Sequence, residues 1–507
     1  MRIRGGTTFT SAPLLQADIP EFCQKRSGAF FTPEDVARAL VAWVDPSEPD
    51  RLLDPSCGDG QFLALHRRCV GVEQNPRSAA AAVTAAPWAL VHEGDFFDWA
   101  ARTSERFECA AGNPPFIRYQ TFKGEKRRRA LELCARQGVA FSGLTSSWAP
   151  FLVATASLLK PGGRFAFVTP AAIGHAPYAA PLLEHLVATF AAVHVVAIRE
   201  KLFPFLSEDC WLLFAGGRGG TATHIDLTVV ERFAPDPQRP EPTVKIALDE
   251  WRAVWGRRLR PYLLPRDVRQ LYAAAAWEED SRRLGDFASV GTGYLSGDND
   301  FFHLRPSTAQ RLGIPSAFLH PSLRSGKGIR NGAITKATVA GWTQNDEQVF
   351  LLKLGRNARL PAPVKAYLDS AAGQIARVSY KCKNREPWHV VPNVRIPEFM
   401  MSYMSGRSVK LIRNEAGVTC SNSVHALRVD DPVTARKLLP LWASPFVRLS
   451  CELEGHALGG GVLKLEPREA AQVLFPSAKA SKKMSADGLE EAIGVLQRWR
   501  HYGERTN

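Results

Sequence analysis

The fold is indicated first by residues 51–63, RLLDPSCGDGQFL, in which a short apolar run ends in acidic residues and glycines. The apolar run is typical of a buried strand, and the following QFLALHRR has the composition of a helix. Gly58 and Gly60 let the backbone pass close to a ligand, and the helix N-terminus behind them offers free N–H groups. The segment therefore predicts a strand, a ligand-binding turn and a helix.

The same alternation extends outward on both sides of this segment. A helix is predicted at residues 34–44, EDVARALVAWV, after Thr32-Pro33 as cap and first turn. Further strands are predicted in CVGVEQN, ALVHEGDFF, FECAAGNPPF, GRFAFVTP, VHVVAIRE and CWLLFAGG, with helices in PRSAAAAVTAA and WAPFLVATASLL. Strands alternating with helices predict an α/β fold with a doubly wound, mostly parallel sheet.

A second domain is expected because 507 residues exceed what one core usually supports. Residues 233–244, FAPDPQRPEPTV, contain four prolines and predict a linker, followed by a helix at 251–277. From residue 284 glycine-punctuated segments such as VGTGYLSGDNDFFHL predict a mixed, largely β domain, which LEEAIGVLQRWRHYG closes as a helix. We predict domains at 1–232 and 284–507, connected by 233–283.

Charge is distributed unequally between the two halves. The net charge is +14, but residues 1–250 carry 26 Lys and Arg against 27 Asp and Glu, whereas residues 251–507 carry 38 against 23. The basic excess of the second half favours a polyanionic partner such as nucleic acid. A merely soluble basic protein is the alternative.

Targeting and redox signals are few. Nine cysteines occur without a CxxC pair, which favours reduced thiols over disulfides or a zinc site. The N-terminus lacks the apolar run of a secretory signal, and no run of about 18 apolar residues occurs. We expect a soluble, cytoplasmic protein that requires no metal and contacts no membrane.

A nucleotide-type cofactor is predicted from the spacing of acidic residues. Glu73 ends the next predicted strand 19 residues after Asp54, which suits a carboxylate that binds ribose hydroxyls. The loop lacks the G-x-G-x-x-G spacing, and Asp54 and Asp59 would repel a pyrophosphate. S-adenosylmethionine, which is cationic, therefore fits better than NAD. A tight turn in an ordinary α/β sheet is the alternative.

Two further strand ends carry aromatic residues. Asp95 can accept from an adenine amino group and Phe96 can stack on the ring, although a strand-terminating turn with a core phenylalanine is equally consistent. Asn113-Pro114-Pro115-Phe116 combines a rigid backbone and hydrogen-bond acceptors with a flat side chain. Such a cluster suits a planar ring that bears an exocyclic amino group.

In this order DPSCGDGQFL, VGVEQN, GDFF and GNPPF, preceded by FFTPEDVARALV, resemble the motifs of N6-adenine DNA methyltransferases of bacterial restriction-modification systems, gamma (TaqI-like) class. The match covers residues 28–215. The resemblance implies a Rossmann-like class I S-adenosylmethionine-dependent fold followed by a target-recognition domain. It also implies methyl transfer to N6 of an adenine that is flipped out of duplex DNA.

The resemblance also implies site residues. Those that bind cofactor are Phe31, Thr32, Asp54, Ser56, Gly58, Gly60, Glu73, Asp95, Phe96 and Phe151, and the catalytic ones are Asn113, Pro114, Pro115, Phe116 and Phe203. Phe116 replaces the commoner Tyr of the family, which keeps the stacking face and loses only a hydroxyl. Phe151 could equally be core, and Phe205 is the alternative to Phe203.

Basic residues near the catalytic motif and in the second half are candidates for DNA contact: Arg118, Lys126, Arg127, Arg128, Lys327, Arg330, Lys381, Lys383 and Arg385, with Trp388 among them. A charge run is more usually a solvated helix face. Here its position beside the predicted pocket favours phosphate contact.

The same motifs are compatible with other substrates and architectures. RNA or a protein glutamine could be methylated by the same motif, and a DNA-binding module with an inactive methylase fold is a third possibility. A fused nuclease is disfavoured because only about 27 residues precede the first motif. We expect double-stranded DNA as substrate and a separately encoded restriction endonuclease as a partner.

Overall fold

A nine-stranded sheet organises the first of the two units into which the chain divides, Met1–Arg260. It is seen in a computed structural model that describes residues 32–45, 50–203, 206, 208–329, 332–458 and 460–504. The strands are β1 (Leu52–Asp54), β2 (Cys69–Glu73), β3 (Leu90–Glu93), β4 (Phe107–Gly112), β5 (Leu159–Pro170), β6 (Phe190–Ile198), β7 (Cys210–Arg218), β8 (His224–Val230) and β9 (Val244–Ala247).

The strand order is β3-β2-β1-β4-β5-β7-β6-β8-β9. Strands β1 to β5 are parallel to one another, and β8 is parallel to β6. Strand β7 lies between β5 and β6 and is antiparallel to both. The predicted doubly wound, mostly parallel sheet is therefore confirmed.

Helices cover the sheet, and three of them are the ones predicted at EDVARALVAWV, PRSAAAAVTAA and WAPFLVATASLL. The helix predicted at QFLALHRR is wrong, because this stretch forms only a short 3-10 turn at Leu63–Leu65. They are α1 (Glu34–Val44), α2 (Pro76–Ala85), α3 (Phe96–Ala100), α4 (Gly124–Arg136), α5 (Trp148–Ser157), α6 (Ala179–Thr189) and α7 (Leu248–Ala253). Helix α1 buries Val36, Leu40 and Val44, which are spaced for one helical face, in a core shared with β1 and β4. The Asn75 side chain caps α2 by accepting from the N–H groups of Arg77 and Ser78.

The boundary between the units differs from the predicted one. Residues 244–247, expected in a linker, form β9 and pair with β8, so the first unit continues to Arg260. The single helix expected at 251–277 is two helices, α7 and α8 (Arg266–Trp277). Gly256 adopts φ +55°, and Pro261 and Pro265 lack the N–H that a continuous helix needs, which explains the break.

The second unit, Pro261–Asn507, contains four small sheets within its described residues. Their orders are β11-β20-β16-β18-β14, β12-β15-β13-β19, β17-β22-β21 and β10-β23. The strands are β10 (Arg282–Arg283), β11 (Ala288–Thr292), β12 (His303–Leu304), β13 (Leu319–Leu323), β14 (Ala333–Ile334), β15 (Phe350–Leu352), β16 (Phe399–Ser402), β17 (Met404–Ser405), β18 (Leu411–Asn414), β19 (Thr419–Cys420), β20 (Val424–Val429), β21 (His456–Leu458), β22 (Val462–Lys464) and β23 (Leu474–Phe475). The predicted β-rich second region is confirmed.

Short helices pack around these sheets. After α8 they are α9 (Asn299–Phe302), α10 (Pro306–Arg311), α11 (Lys336–Gln344), α12 (Ala362–Asp369), α13 (Ala371–Val378), α14 (Tyr380–Lys383), α15 (Pro432–Trp442), α16 (Pro445–Glu454), α17 (Pro467–Ala470), α18 (Ala478–Ser481) and α19 (Ala486–Trp499). The predicted closing helix is α19. Among the described residues, no helix combines the length and apolarity needed to cross a membrane.

Candidate active site

The carboxyl ends of β1, β2 and β4 bring the predicted site residues to one edge of the sheet. Asp54 ends β1, is 1% exposed, and accepts a hydrogen bond at Oδ1 from the Ser56 N–H at 3.0 Å. Its Oδ2 is buried and has no hydrogen-bond partner among the described residues. Burial, with smaller contributions from the Glu73 and Asp59 carboxylates, raises the pKa of Asp54 to about 8. A bound cation would favour its ionised form.

The loop after Asp54 is held by a carboxylate and by close packing. Glu73, at the end of β2, accepts from the Gly58 N–H at 3.0 Å and from the Asn75 N–H at 2.7 Å. Gly60 adopts φ +93°, and a Cβ there would lie 2.9 Å from the Ala82 Cα of α2. Burial raises the pKa of Glu73 and of Asp59. The loop is thus fixed and lined by carboxyl groups.

Asn113 follows β4 and is joined to this loop. The Ser56 hydroxyl donates to the Asn113 main-chain carbonyl at 3.2 Å. Gly112, the residue before it, lies so close to Asp54 that a Cβ would be 2.7 Å from the Asp54 Oδ1. The structure therefore brings together the predicted cofactor loop and the predicted catalytic motif.

Ser147 fixes the turn after Asn113, and sequence reasoning missed it. Its buried hydroxyl donates to the Pro115 carbonyl and accepts from the Ile117 N–H at 2.9 Å, while its own N–H donates to the Ile117 carbonyl at 3.0 Å. Ser147 precedes α5 as its N-cap residue but makes no side-chain cap. A helix-start serine that faces another loop gives no local sequence signal, because its partner lies about 30 residues away.

The structure describes some of the remaining predicted site residues and not others. Phe116 is half-buried and packs against the core cluster that contains Phe203. Thr32 is buried at the start of α1. Phe31 and the alternative Phe205 lie outside the described residues, as does Arg330.

Phe96 and Phe151 do not flank a gap for adenine. Their rings stack directly on each other, with centroids 5.0 Å apart and planes inclined by 19°. A ring held between two others needs about 7 Å between the outer pair, or two contact distances of roughly 3.5 Å. Both are core side chains, 3% and 8% exposed. The expected cofactor sandwich is therefore replaced by a direct stack, the alternative considered for each residue.

Asp95 is used at both carboxylate oxygens. Oδ1 caps α3 by accepting from the N–H groups of Phe97 at 3.0 Å and Asp98 at 3.3 Å. Oδ2 lies 3.5 Å from the Lys126 Nζ, which also donates to the Gln74 side chain at 2.7 Å. Lys126, predicted to contact phosphate, thus bridges the ends of β2 and β3 in this structure.

The basic run of α4 is paired within the protein. Arg128 forms ion pairs with Glu125 and, at 2.6 Å, with Glu132, and Arg127 donates to the Gly143 carbonyl. Arg118 pairs with Glu208 at 2.8 Å. Each phosphate contact predicted in the first unit would therefore have to compete with an existing partner.

Two predicted DNA contacts in the second unit are structural instead. Arg385 donates to the carbonyls of Trp388 (2.7 Å), Ser296 and Leu295 (3.4 Å). Trp388 packs against the ring of Phe301, 5.7 Å between centroids, within a hydrophobic cluster. A sequence that interleaves basic and aromatic residues does not reveal which of them point inward. Lys327, Lys381 and Lys383 are exposed, as expected of phosphate contacts.

A second polar cluster is buried in the first unit, and sequence analysis missed it. The ligating atoms of Asp45, His66 and Cys109 all lie within 4.8 Å of one another. The His66 Nε2 is 2.5 Å from the Asp45 Oδ2. Two ligands of one zinc ion stand about 3.3 Å apart or more, so this separation is that of a direct hydrogen bond.

Comparisons with known proteins place both units. The model of the family "N-6 DNA Methylase" matches residues 17–83, and that of the C-terminal domain of the Type II methyltransferase M.Eco57I matches residues 257–499. The chain is 18% identical to the Type II methyltransferase M.AccI of Acinetobacter calcoaceticus, over 92% of this chain and 88% of that one. Both units are thus similar to DNA methyltransferases of restriction-modification systems, the first to an N-6 methylase family and the second to a Type II enzyme.

Further relatives of this adenine methyltransferase match parts of the chain. The Type II methyltransferase M.CvrRI of Paramecium bursaria Chlorella virus XZ-6E is 29% identical over 35% of this chain and 45% of its own length. Among solved structures, the type IIG restriction endonuclease BpuSI has a TM-score of 0.41 and 16% identity, over 92% of this chain and 61% of that one.

Proposed function

We propose that this adenine methyltransferase transfers the methyl group of S-adenosylmethionine to N6 of an adenine flipped out of a specific duplex DNA sequence, as the modification enzyme of a restriction-modification system. The observation that carries the proposal is the hydrogen bond between Ser56 and Asn113, which joins an acidic loop to the Asn-Pro-Pro-Phe motif. A methyl donor and an amino acceptor held by these two loops would be adjacent.

The acidic loop fits a cationic cofactor. The Asp54 Oδ2 is buried without a partner among the described residues, and the Glu73 carboxylate is fixed by two N–H groups. Buried carboxylates of this kind favour a positively charged ligand. Thr32, Asp54, Ser56, Gly58, Gly60 and Glu73 are proposed to hold it, and S-adenosylmethionine bound there supplies an electrophilic methyl group on a sulfonium.

Asn113 and Pro114 are proposed to prepare the acceptor nitrogen. An adenine amino group is a poor nucleophile because its lone pair is delocalised into the ring. Acceptance of its two hydrogens by the Asn113 side-chain oxygen and the Pro114 carbonyl would hold the nitrogen near tetrahedral geometry, with its lone pair available for attack. The Pro115 carbonyl is engaged by Ser147, which keeps the turn rigid. Neither acceptor is a strong base, so the extra proton of the methylated nitrogen leaves to water.

The flipped base is proposed to stack on Phe116, with Phe203 on the side of the core cluster. Phe116 is half-buried against that cluster, so its ring is supported from behind while part of it remains accessible. Base–aromatic stacking contributes about 1–3 kcal/mol, which offsets part of the cost of removing the base from the duplex.

The remaining parts of the proposal concern partners and location. Double-stranded DNA is preferred over RNA or a protein glutamine because the basic excess resides in the second half of the chain. A separately encoded restriction endonuclease would cleave the same sequence when unmodified. Since the substrate is chromosomal DNA, we place the enzyme in the cytoplasm.

Methylation assays test the proposal directly. The full chain should transfer labelled methyl groups to duplex DNA, and single-molecule sequencing should locate N6-methyladenine in one sequence. Asn113→Ala should abolish transfer while calorimetry shows nearly unchanged cofactor affinity. Unchanged turnover in that variant, or transfer to RNA or protein but not DNA, would contradict the proposal.

A further inference from the structure

Three apolar side chains are strongly exposed on one short stretch of the second unit. Ile375 and Val378 on α13 are 68% and 71% exposed, and Tyr380 at the start of α14 is 70% exposed. Ile375 and Val378 are one turn apart and therefore share a helix face. We call these three residues the apolar ridge.

The helices that carry the apolar ridge pack against a buried core. Ala376, between two of its members, is fully buried. Cys382, two residues after Tyr380, is also fully buried, and its thiol donates to the Ser296 carbonyl at 3.7 Å. The neighbouring Tyr367 hydroxyl donates to the Phe301 carbonyl at 2.9 Å. Helices α12 to α14 are thus anchored by their inner faces, and the exposure of the ridge is a fixed property of the fold.

Unpaired cations surround the ridge. Arg377, Lys381 and Lys383 are exposed, and none of the three forms an ion pair with a carboxylate among the described residues. The ammonium groups of Lys381 and Lys383 lie 5.6 and 5.8 Å from the Tyr380 ring centroid. Residues 353–395 as a whole carry nine Lys and Arg against two acidic residues. This contrasts with α4, where Arg128 and Arg129 are paired with carboxylates.

We propose that the apolar ridge inserts against the bases of duplex DNA while Arg377, Lys381 and Lys383 bind the phosphates on either side. The inference rests on the proposed function and assigns a DNA-contacting surface within it. Lysine is depleted at protein–protein interfaces, whereas unpaired cations gain most from a polyanion. Proteins that bend DNA place apolar side chains of this kind between base steps and unstack them. Charge and apolarity together therefore select duplex DNA as the occupant.

The consequence is a division of roles within one small surface. The cations contribute salt-dependent affinity, and the ridge contributes distortion of the stack. A stack that has been opened locally costs less to disrupt further when a base is flipped.

Substitution of the exposed residues in the full-length enzyme tests this inference. Ile375→Ser with Val378→Ser, and separately Tyr380→Ala, should weaken binding of a fluorescent duplex about tenfold with an unchanged salt dependence. They should also abolish the fluorescence increase that the wild-type enzyme is expected to cause when 2-aminopurine replaces a base in the methylated DNA sequence. Lys381→Gln with Lys383→Gln should instead reduce the slope of log affinity against log salt by roughly 1.8, or 0.9 for each lost phosphate contact.

Val433→Ser, an exposed apolar residue of the same unit, is the matched control and should change none of these readouts. Cofactor affinity should be unchanged throughout. If the wild-type enzyme methylates DNA but the ridge variants bind and unstack DNA as well as the wild type does, the inference about the apolar ridge is wrong and the proposed function still stands. If the wild-type enzyme does not methylate DNA, the proposed function fails as well. A concentration-dependent dimer that the ridge substitutions dissociate would make the surface an interface between copies and overturn the inference.

Discussion

The hydroxyl of Ser56 donates to the main-chain carbonyl of Asn113 across 3.2 Å, and it connects two strand ends that are adjacent in the sheet, those of β1 and β4. A hydrogen bond of this kind contributes about 1 kcal/mol, which corresponds to a factor of about five in an equilibrium or rate constant. Its value here is geometric, because it sets the distance between the donor loop and the acceptor motif.

Ser56→Ala should therefore lower kcat about fivefold through misplacement of Asn113. The control is Ser157→Ala, which removes a hydroxyl that also donates to a carbonyl but in α5. Steady-state methylation kinetics with calorimetric cofactor affinity checks the prediction. A loss confined to cofactor affinity would show that the hydroxyl serves the cofactor alone.

Asp54 predicts a pH dependence of cofactor binding. Its pKa is raised to about 8 by burial, so below that pH a cationic ligand must displace a proton. Affinity should rise up to tenfold for each pH unit between about 6 and 8 and then level off, with about one proton released. Calorimetry in buffers of different ionisation enthalpy measures both quantities, and Asp54→Asn should remove the dependence. An affinity that is flat over this range would contradict the assignment.

The same carboxyl group predicts the pH dependence of stability without cofactor. A carboxyl with a raised pKa in the folded state binds its proton more tightly folded than unfolded. It therefore contributes stability at low pH that is lost as pH rises from about 4 towards 8. The free energy of unfolding of Asp54→Asn should decline less over that range in denaturant titrations. An identical decline in both proteins would show that other groups control it.

Substitution of Lys126 distinguishes a role in holding the cofactor site from a role in contacting a DNA phosphate. Because its ammonium lies 3.5 Å from the Asp95 Oδ2 and bonds Gln74, Lys126→Met should raise the KM for cofactor up to fivefold, since an exposed ion pair contributes at most about 1 kcal/mol. The salt dependence of DNA binding should stay the same. A phosphate contact would instead lower the slope by about 0.9. Arg128→Gln, in the same helix but paired with glutamates, is the matched comparison.

Phe151 should matter for stability rather than for cofactor recognition. Its ring stacks on Phe96 and meets Phe97 edge-on at 4.6 Å. Phe151→Ala should cost about 3–5 kcal/mol in the free energy of unfolding. Phe151→Leu should retain most of the wild-type stability, and its cofactor affinity should equal that of the wild-type enzyme. A variant of normal stability that has lost cofactor affinity would reinstate the sandwich.

The sequence predicts the ends of β1, β2 and β4 well because buried parallel strands are short apolar runs that stop at polar turns. It does not predict β7 as antiparallel, since strand direction depends on pairing with residues 16 to 50 positions away. Strand β9 was missed because the prolines before it predict a linker, although an edge strand tolerates such a neighbour.

At the site, motif residues are recognisable while their supports are not. Asp54 and Glu73 follow from their spacing and Asn113 from the Asn-Pro-Pro-Phe motif, but Ser147 acts on a loop that only the tertiary fold brings near. Long cationic side chains such as Arg385 carry five donors, and a sequence does not show whether these meet phosphates or the protein's own carbonyls. Aromatic residues after a strand, such as Phe96, look the same whether they pack inward or face a ligand.

The position of β7 between β5 and β6 has a consequence for the nascent chain. Within the described sheet β6 bonds only to β7 and β8, both of which are translated after it. Strands β1 to β5 can pair as they emerge, whereas β6 must wait with its apolar face uncovered until about residue 218 has left the ribosome. The nascent enzyme is therefore most accessible to chaperones between the emergence of β6 and the emergence of β7.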